Sequence, residues 1–497
     1  MERTGQRGVP PRRRRRRRYY DTEVHPWIPV VAVAVAVLVV AAIVFPFLRL
    51  SSPYRGPQLL ILGPIRNATL GLGPVVGVHP ADPFYSAVFD TGSMDIASLD
   101  DLGAFFNSTP INLFRWGGTE QFDPTTATEY EPPSSGYGQY VAVPNAQATL
   151  NLTWMKSWCD AKTPHCSWIG SLPAELNNTQ AAVHAAQWYH SVLGFAPTYW
   201  QLGNEPESWT HYGENWTQWS TYDDSTPTGP AYATMVQDYI AAVHAVYPAD
   251  QFVGLEASGP GNIDDMPEDT AALDGASVAA MAYHTYPPPT GGGSSLDQLY
   301  QSLLGPQNVS ATANEFRAAV TSECGSCANL PIQIGEFQAG PADAINPLAL
   351  TYAGAPYLAS AIIEALRANV STFTVFDNSW LVNKNTGAVL PEGLLYQRLL
   401  DNMTMGTDFA TSLTAPGVTG LFSIEIQNGP HVSLLVVNTD PSASIRLAVP
   451  TDLFQNGSLG SYWLWGPTVP DPIAYPEVPL PSVYEVPEEG ILLIDNY

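Results

Sequence analysis

Two glutamates, Glu205 and Glu336, each come at the end of a short apolar run that is typical of a β-strand. Glu205 ends the run Trp-Gln-Leu-Gly-Asn-Glu, and Glu336 follows Ile-Gln-Ile-Gly. About 130 residues separate them, which leaves room for about three strand–helix units of a (β/α)8 barrel. Cleavage of a glycosidic bond with retention requires two carboxyl groups about 5 Å apart, one protonated and one ionised. The pair therefore predicts a sugar-cleaving enzyme, with Glu205 as the acid and Glu336 as the nucleophile.

The residues around Glu205 also fit a simpler explanation. Glycine, asparagine and proline flank it, and all three favour turns, so Glu205 could lie in an ordinary surface turn. The apolar strand before it and the second strand-end glutamate favour the catalytic explanation. Asn204 is placed to hydrogen-bond a sugar hydroxyl beside the acid. Glu256, on another candidate strand, is the alternative to Glu336 as the second carboxylate.

Four other side chains follow candidate strands and are expected at the same rim. Arg115 could hold the nucleophile ionised by charge-assisted hydrogen bonds, or form a structural ion pair. His284 and Tyr286 end the sixth candidate strand, where a tyrosine hydroxyl can orient the nucleophile or pack in the core. Trp380 follows the eighth, where its ring could stack on a sugar or pack within a loop. No group of residues has metal-ligand spacing and no phosphate-binding loop is present, so no metal and no cofactor are predicted.

Short apolar runs alternate with helical patterns from about residue 70, which is typical of strand–helix units around a parallel sheet. The apolar segment Leu348–Ala368 is predicted to be a buried barrel helix rather than a membrane span. The fold class is therefore α/β, with a (β/α)8 TIM barrel at residues 71–404. The eight candidate strands are Pro74–Val78, Ile111–Arg115, Cys166–Gly170, Thr198–Leu202, Phe252–Leu255, Ala279–Tyr283, Ile332–Ile334 and Thr372–Phe376.

The pattern changes at about residue 405, where helical periodicity gives way to alternating apolar and polar residues. The runs Gly420–Ile426 and Val432–Val437 are separated by Asn428-Gly429, a pair that is typical of a hairpin turn. Residues 405–497 are therefore predicted to form a β-sandwich domain. Residues 49–70 are predicted to be a stalk, in which Gln58–Leu62 supplies a strand to that sandwich.

The N-terminus carries a membrane signal. Seven consecutive arginines, Arg12 to Arg18, precede an uncharged run of 22 residues from Trp27 to Leu48. Such a run forms a helix of about 33 Å, which matches the bilayer core. The positive-inside rule keeps residues 1–26 in the cytoplasm, so a single-pass cell-membrane protein with an extracellular catalytic domain is predicted. A cleaved signal peptide is the alternative.

The charge of the chain is distributed unevenly. Lys and Arg number 20 against 46 Asp and Glu, and half of these basic residues lie in residues 1–54. The rest of the chain is strongly acidic and repels nucleic acid and other polyanions at neutral pH. The expected partners are therefore an oligosaccharide or polysaccharide substrate and the membrane, and no nucleic acid.

Two kinds of residue agree with an oxidising, extracellular environment. The four cysteines form the close pairs Cys159/Cys166 and Cys324/Cys327, which predicts two local disulfide loops. A redox motif or a zinc site is the alternative for these cysteines. Nine Asn-X-Ser/Thr sequons predict a glycoprotein; they lie at Asn67, Asn107, Asn151, Asn177, Asn215, Asn308, Asn369, Asn402 and Asn456.

Four segments resemble clan A glycoside hydrolases and, within that clan, family 79, the heparanase and β-glucuronidase group. They are 113–119 (Leu-Phe-Arg-Trp-Gly-Gly-Thr), 200–208 (Trp-Gln-Leu-Gly-Asn-Glu-Pro-Glu-Ser), 284–286 (His-Thr-Tyr) and 378–382 (Asn-Ser-Trp-Leu-Val). The resemblance implies Glu205 as acid/base, Glu336 as nucleophile and retention of configuration. In that family a glycine pair and a tyrosine hold the glucuronate carboxylate, whereas this chain has Gln-Ala-Gly-Pro-Ala at 338–342 and serine at position 379.

The sequence thus predicts a retaining glycoside hydrolase that cleaves β-glycosidic bonds of extracellular glycans, with β-glucuronides among the candidate substrates. One alternative is a catalytically silent cell-surface protein that binds glycan. The presence of both carboxylates disfavours it, because a protein that only binds glycan does not need them. The other alternative is a clan A endo-glycosidase or a glucosylceramidase-like enzyme.

Overall fold

The computed structural model describes residues 63–496 with gaps, of which the longest are 90–102, 132–140, 206–228 and 260–272. The first twelve strands in chain order are β1 (Ile65–His79), β2 (Tyr85–Phe89), β3 (Leu113–Trp116), β4 (Gln121–Asp123), β5 (Thr128–Glu131), β6 (Val141–Pro144), β7 (Ser167–Ser171), β8 (Tyr199–Gln201), β9 (Phe252–Ala257), β10 (Ala280–Thr285), β11 (Ile332–Phe337) and β12 (Val370–Val375).

Eight of these strands close into a barrel in the order β2-β3-β7-β8-β9-β10-β11-β12. Every neighbouring pair in the barrel is parallel. Strands β9, β10 and β11 are buried along their whole length, as expected for parallel strands that are covered on both faces. The closed parallel barrel confirms the predicted TIM barrel.

Helices lie between most of the barrel strands, as the alternation of apolar runs and helical patterns in the sequence predicted. The described helices are α1 (Ala146–Asp160), α2 (Thr179–Leu193), α3 (Gly229–His244), α4 (Leu296–Leu304), α5 (Val309–Glu323), α6 (Gly354–Arg367) and α7 (Pro391–Asn402), with a further helical stretch at 103–108. The segment predicted as one long helix at 348–368 divides into a 3-10 turn, Pro347–Leu350, and α6. Helix α6 is buried at almost every position, which explains its apolar sequence.

The prediction for the first barrel strand was wrong. Pro74–Val78 lies within β1, which pairs with strands of the C-terminal domain, and the first barrel strand is β2. Both segments are short apolar runs, and such a run does not specify which sheet it will join. The boundary predicted at residue 71 therefore falls inside β1. The predicted stalk strand Gln58–Leu62 lies outside the described residues.

A small antiparallel sheet, β4-β5-β6, is inserted after the second barrel strand. Its three strands lie in the polar insertion between β3 and α1. Insertions after barrel strands lie at the carboxyl end of the barrel, where barrel enzymes form their substrate clefts.

The remaining strands, together with β1, form a second, β-rich domain that we call the β domain (65–79 and 406–496). These strands are β13 (Gly406–Thr414), β14 (Leu421–Asn428), β15 (His431–Asn438), β16 (Ser444–Ala448), β17 (Leu459–Trp465), β18 (Ile473–Pro479), β19 (Val483–Val486) and β20 (Gly490–Asn496). The nine-stranded sheet has the order β18-β17-β20-β15-β14-β13-β1-β16-β19. The predicted hairpin at Asn428-Gly429 joins β14 to β15, and Gly429 has a φ of 60°.

Helix α6 joins the barrel to the β domain. Arg367, at its C-terminal end, donates hydrogen bonds from Nη2 to the carbonyl oxygens of Thr411 (2.7 Å) and Ser423 (3.0 Å). Tyr352, just before α6, packs edge-on against Trp465. Apolar residues of the barrel and of β14, β15, β17 and β20 belong to one buried cluster. The two domains therefore share a continuous core.

The cysteines are paired locally, as predicted. Cys159 and Cys166 connect the end of α1 to the start of β7, and Cys324 and Cys327 close a turn after α5, with Cα–Cα distances of 5.3 and 5.2 Å. Among the described residues, no helix is long and apolar enough to cross a bilayer. The predicted span at 27–48 lies outside these residues.

Candidate active site

The predicted site residues meet at the carboxyl ends of the barrel strands. Arg115 lies on β3, Glu205 follows β8, His284 lies on β10 and Glu336 lies on β11. In barrel order these are the second, fourth, sixth and seventh strands, as predicted. Barrel enzymes place their catalytic residues at this end, whatever their chemistry.

Two β-bulges shape this end of the barrel. The register of β9 against β10 leaves Glu256 as an extra residue, and the register of β10 against β11 leaves Gly335 as another. Leu255 and Glu256 have φ values of 70° and 47°. This left-handed region costs a non-glycine residue about 1–2 kcal/mol. Bulges near active sites redirect side chains, and here they place Glu256 beside the ring of His284.

A tight turn after β8 carries Glu205, the predicted acid. Gly203 has a φ of 96°, which glycine adopts readily, and Glu205 itself has a φ of 47°. The backbone N–H of Glu205 donates to the carbonyl oxygen of Glu256 at 3.0 Å. This bond ties the turn after the fourth strand to the bulge in the fifth.

Arg115 is fully buried and holds three groups in fixed positions. Its Nη1 donates to Glu336 Oε1 at 2.5 Å, its Nη2 to Asn204 Oδ1 at 2.7 Å, and its Nε to Gln201 Oε1 at 3.0 Å. A planar guanidinium can satisfy such divergent acceptors at once, which a lysine ammonium does less well. Arg115 therefore binds the predicted nucleophile and the predicted sugar-binding amide together.

Both carboxylate oxygens of Glu336 are hydrogen-bonded. Oε1 accepts from Arg115, and Oε2 accepts from the hydroxyl of Tyr286. Burial, with the Glu336 and Glu205 charges, raises the pKa of Tyr286 well above its ordinary value, so its hydroxyl remains a donor at neutral pH. The orientation that the sequence predicted for this tyrosine is thus present.

His284 lies between two glutamates. Its Nδ1 is 2.7 Å from Glu205 Oε1, and its Nε2 is 3.1 Å from Glu256 Oε2. The histidine side chain is fully buried, while the Glu205 side chain is 13% exposed and that of Glu336 only 4%. Glu205 is thus the most accessible of these groups, as an acid that exchanges its proton must be.

The charges of the site reinforce one another. Burial acts to lower the pKa of His284, but Glu336, Glu205 and Glu256 more than offset it and raise that pKa to about 10. Burial likewise acts to lower the pKa of Arg115, and the carboxylates of Glu256 and Glu336 raise it overall. Both cations are therefore charged at neutral pH. Burial acts to raise the pKa of Glu256, but Arg115 and His284 lower it overall.

The two predicted catalytic carboxyl groups lie close together. One oxygen of each and a ring nitrogen of His284 all lie within 4.8 Å of one another. Three such atoms could also be offered to a metal ion. His284 Nδ1 and Glu205 Oε1 are hydrogen-bonded to each other, and Glu336 Oε2 accepts from the hydroxyl of Tyr286. Arg115, which donates to Glu336 Oε1, adds a positive charge beside them. Two carboxyl groups at this spacing, beside two cations, can serve acid–base chemistry.

Trp380 does not fit the role predicted for it. The ring is fully buried, packs against Phe337 and Tyr357, and donates from Nε1 to the carbonyl oxygen of Ala349 at 3.0 Å. A side chain without an exposed face has no surface for a sugar ring, so Trp380 is a core residue and the stacking prediction is corrected. The packing alternative considered for it describes its observed position.

Two parts of the site were not assigned by sequence. Gln201 accepts from Arg115 and donates from Nε2 to the carbonyl oxygen of Gly203, so it supports the turn that carries Glu205. Glu256 was considered only as a rival nucleophile, whereas it lies behind His284 without any exposed surface. In both cases the sequence did contain a signal that could have identified the residue, namely a polar side chain within an apolar strand run.

The fold resembles solved glycoside hydrolases. CelM2, a bifunctional glucanase-xylanase from a metagenome library, aligns with a TM-score of 0.61 at 12% identity, over 86% of this chain and 99% of its own. AbfB, a family 51 α-L-arabinofuranosidase from Bifidobacterium longum, aligns with 0.63 at 13%, over 87% and 100%. Cel44A, a family 44 endoglucanase from Clostridium thermocellum, aligns with 0.60 at 10%, over 87% and 100%.

At sequence identities of 10–13%, the similarity to these structures shows the fold alone. The neighbours are clan A glycoside hydrolases with a TIM barrel, and the chain shares their barrel and β-rich second domain. No protein-family model matches the chain, and no curated protein matches it.

Proposed function

We propose that this protein is a retaining glycoside hydrolase in which Glu205 is the acid/base and Glu336 is the nucleophile. The observation that carries the proposal is that one carboxyl oxygen of Glu205 lies within 4.8 Å of one carboxyl oxygen of Glu336. Retaining glycosidases hold their two carboxyl groups about 5–5.5 Å apart, whereas inverting enzymes need about 6.5–9.5 Å to admit a water molecule. The glycosidase fold of the structural neighbours supports the same reading.

In the first step a carboxylate oxygen of Glu336 attacks the anomeric carbon, and the bond from that carbon to the leaving oxygen breaks. Glu205 donates its proton to the leaving oxygen, so an alcohol departs and a glycosyl ester of Glu336 remains. Arg115 and Tyr286 fix the orientation of the nucleophile for this attack. Asn204, whose Oδ1 accepts from Arg115, is proposed to bind a hydroxyl of the reacting sugar.

In the second step Glu205, now ionised, removes a proton from water, and the resulting oxygen attacks the anomeric carbon of the ester. The ester bond breaks, Glu336 returns to its carboxylate form, and the sugar leaves with its original configuration. The charge balance of the site fits this cycle. Two cations, Arg115 and His284, balance two of the three carboxyl groups, and the third can carry the catalytic proton.

The proposed substrate is a glycan with β-glycosidic bonds. Membership of family 79 is supported by four sequence segments, but the positions that hold glucuronate in that family differ here. The structural neighbours include a glucanase-xylanase and a xyloglucanase. The acidity of the chain after residue 54 also favours a weakly charged glycan over a polyanion. We therefore place neutral β-glycans before β-glucuronides among the substrates.

We also propose that the catalytic domain lies outside the cell and is anchored by the segment at 27–48. The arginine run before that segment and the two disulfides support this location. Protease treatment of intact cells is the direct test. Loss of the barrel from intact cells agrees with the location, and its survival until the cells are lysed contradicts it.

The decisive experiment traps the intermediate. The soluble protein is incubated with 2-deoxy-2-fluoro glycosides and cyclitol epoxides of several sugar configurations, and the adduct is mapped by peptide mass spectrometry. Label on Glu336, absent in Glu336→Gln, is the expected result. Label on another residue would overturn the assignment of the nucleophile.

A matched control comes from a buried glutamate outside the site. Glu364 on α6 is 7% exposed and pairs with Arg367, so Glu364→Gln should be labelled at Glu336 like the unmodified protein. If glycan arrays show binding while no aryl glycoside is cleaved between pH 2 and 8, the protein is a glycan-binding protein and the proposal fails.

A further inference from the structure

Glu256 is a carboxylate enclosed within the barrel. Its side chain has no exposed surface; its Oε2 is 3.1 Å from His284 Nε2 and 3.6 Å from Arg115 Nε. Among the described residues, its Oε1 has no hydrogen-bond partner. The group therefore contacts both cations of the site, and its burial keeps it from reaching a substrate.

The backbone around Glu256 is adapted to its side chain. Leu255 and Glu256 form a bulge in which both residues take positive φ values. In the neighbouring bulge of β11, a Cβ on Gly335 would lie 2.0 Å from Glu256 Oε2. Strained backbone and a required glycine persist where the surrounding structure needs them, and they often mark functional positions.

The protonation state of His284 decides where the catalytic proton lies. A neutral ring with its proton on Nε2 donates to Glu256 and leaves Nδ1 as an acceptor. The proton of Glu205 would then be drawn towards Nδ1, away from the leaving group. A charged ring donates from both nitrogens, so Glu205 Oε1 accepts a hydrogen bond and the proton of the acid is carried on Oε2.

We infer that Glu256 is a positioning residue of the reaction proposed above. Its carboxylate keeps the His284 ring charged, so the ring donates to one oxygen of Glu205 and the catalytic proton remains on the other. Arg115, Tyr286, Glu205 and Glu336 are the other titratable groups that face this ring or its two partners. The inference rests on the proposed function, since it assigns how the acid of that reaction is prepared.

The test uses Glu256→Gln, which keeps the size of the side chain and an oxygen that can accept from Nε2 but removes the charge. Its kcat/KM is measured from pH 3 to 9 with two substrates of one sugar. One has a dinitrophenol leaving group, which departs without a proton, and the other has an alkyl alcohol, which needs the acid.

With the alkyl glycoside, we expect the basic limb of the pH profile to move about 1–3 pH units towards acid, because a nearby charge shifts ionisation by that amount. At pH 8 the rate should fall roughly 10–100-fold, as when residues that orient a catalytic group are removed. With the dinitrophenyl glycoside the fall should be less than about threefold. A fall that is equal for both substrates and at every pH would show a structural role and overturn the inference.

A second measurement does not depend on turnover. The ring signals of His284 are identified by NMR from their loss in His284→Asn, and their titration is followed in the unmodified protein and in Glu256→Gln. A midpoint that moves to lower pH in Glu256→Gln supports the inference, and an unchanged midpoint overturns it. Glu364→Gln is the control for a buried charge removed elsewhere and should leave both the profile and the titration unchanged.

The two proposals fail differently. If the unmodified protein cleaves no glycoside, the proposed function fails, and the NMR titration still reports whether Glu256 controls the charge of His284. If the unmodified protein is active and Glu256→Gln retains its basic limb, the inference fails and the proposed function stands.

Discussion

Arg115 on the second barrel strand and Glu336 on the seventh are joined across the barrel by a hydrogen bond of 2.5 Å between Nη1 and Oε1. The same guanidinium binds Gln201 and Asn204 at the end of the fourth strand. One buried side chain thus fixes the proposed nucleophile, the proposed sugar-binding amide and the support of the turn that carries Glu205 relative to one another. Closure of the barrel alone brings these groups together, since 221 positions separate Arg115 from Glu336.

Replacement of Arg115 by lysine should therefore damage the site without removing its charge. A lysine ammonium cannot reach Gln201, Asn204 and Glu336 together, so the nucleophile loses its fixed orientation. We expect kcat/KM to fall by roughly 10²–10³-fold, comparable to the loss of one preorganised donor in other active sites. Steady-state kinetics and the melting temperature measure this. The distant Arg446→Lys, an exposed pair with Glu485, should change neither.

Glu205→Ala should separate the two steps of the reaction. Without the acid, glycosides with poor leaving groups should lose about 10²–10⁴ in rate, while dinitrophenyl glycosides should form the Glu336 ester with little loss. That ester then accumulates because no base activates water, and azide should release it as a β-glycosyl azide. An α-glycosyl azide, or rates equally low with both kinds of substrate, would contradict the assignment.

Stability should decline as the pH rises above about 6. Burial raises the pKa of Asp408 and of Glu489 to about 7, and that of Asp495 to about 6. These values exceed the value of about 4 in an unfolded chain. The folded state therefore binds these protons more tightly, so their contribution to stability is complete below about pH 4 and is lost as the pH rises through 6 to 7. Thermal melts should give a higher Tm at pH 5 than at pH 8.

Replacement of these carboxyl groups by neutral amides tests directly whether they cause the pH dependence of stability. Glu489→Gln and Asp495→Asn should be close to the unmodified protein at pH 5 and more stable than it at pH 8, because an amide has no proton to lose. The exposed Glu323→Gln should leave the pH dependence unchanged. A Tm that rises from pH 5 to 8 in the unmodified protein would refute the buried-carboxyl explanation.

Gly335→Ala should be poorly tolerated although the change adds only a methyl group. Its Cβ would lie 2.0 Å from Glu256 Oε2, so the carboxylate must move away from His284. Overpacking of this kind costs about 1–3 kcal/mol, and we expect a comparable loss in the free energy of unfolding together with lower activity. Denaturant titration measures the first. Gly305→Ala is the control, because its Cβ would meet nothing closer than 3.5 Å.

Much of the site could be predicted because the order of the strands along the chain determines their positions around a (β/α)8 barrel. Glu205, His284 and Glu336 each end a strand, and strand ends in such a barrel meet at one rim. Glu256 could not be placed in this way. Its position depends on a bulge whose register is set by the neighbouring strand, and no local pattern in the sequence specifies that register.

The two wrong predictions, for the run at 74–78 and for Trp380, also failed because local sequence does not specify long-range contacts. The run at 74–78 pairs with β13, more than 300 residues further along the chain. Apolar periodicity carries no information about so distant a partner, so it could not show that the run joins the β domain. Trp380 was expected at the rim because it follows the eighth strand. Its ring turns inward instead, since Phe337 and Tyr357 offer it apolar contacts and Ala349 an acceptor.

Strand β1 also has a consequence for synthesis of the protein. Thr69 pairs with Thr414, so the strand that leads into the barrel is completed only by strands made after the barrel. During translation its hydrogen-bonding edges stay unmatched until the last hundred residues emerge, and such late, long-range pairing is slow and exposed to aggregation. Truncation after the last barrel helix would leave this strand permanently without its ladder, so expression of the barrel alone should yield insoluble protein.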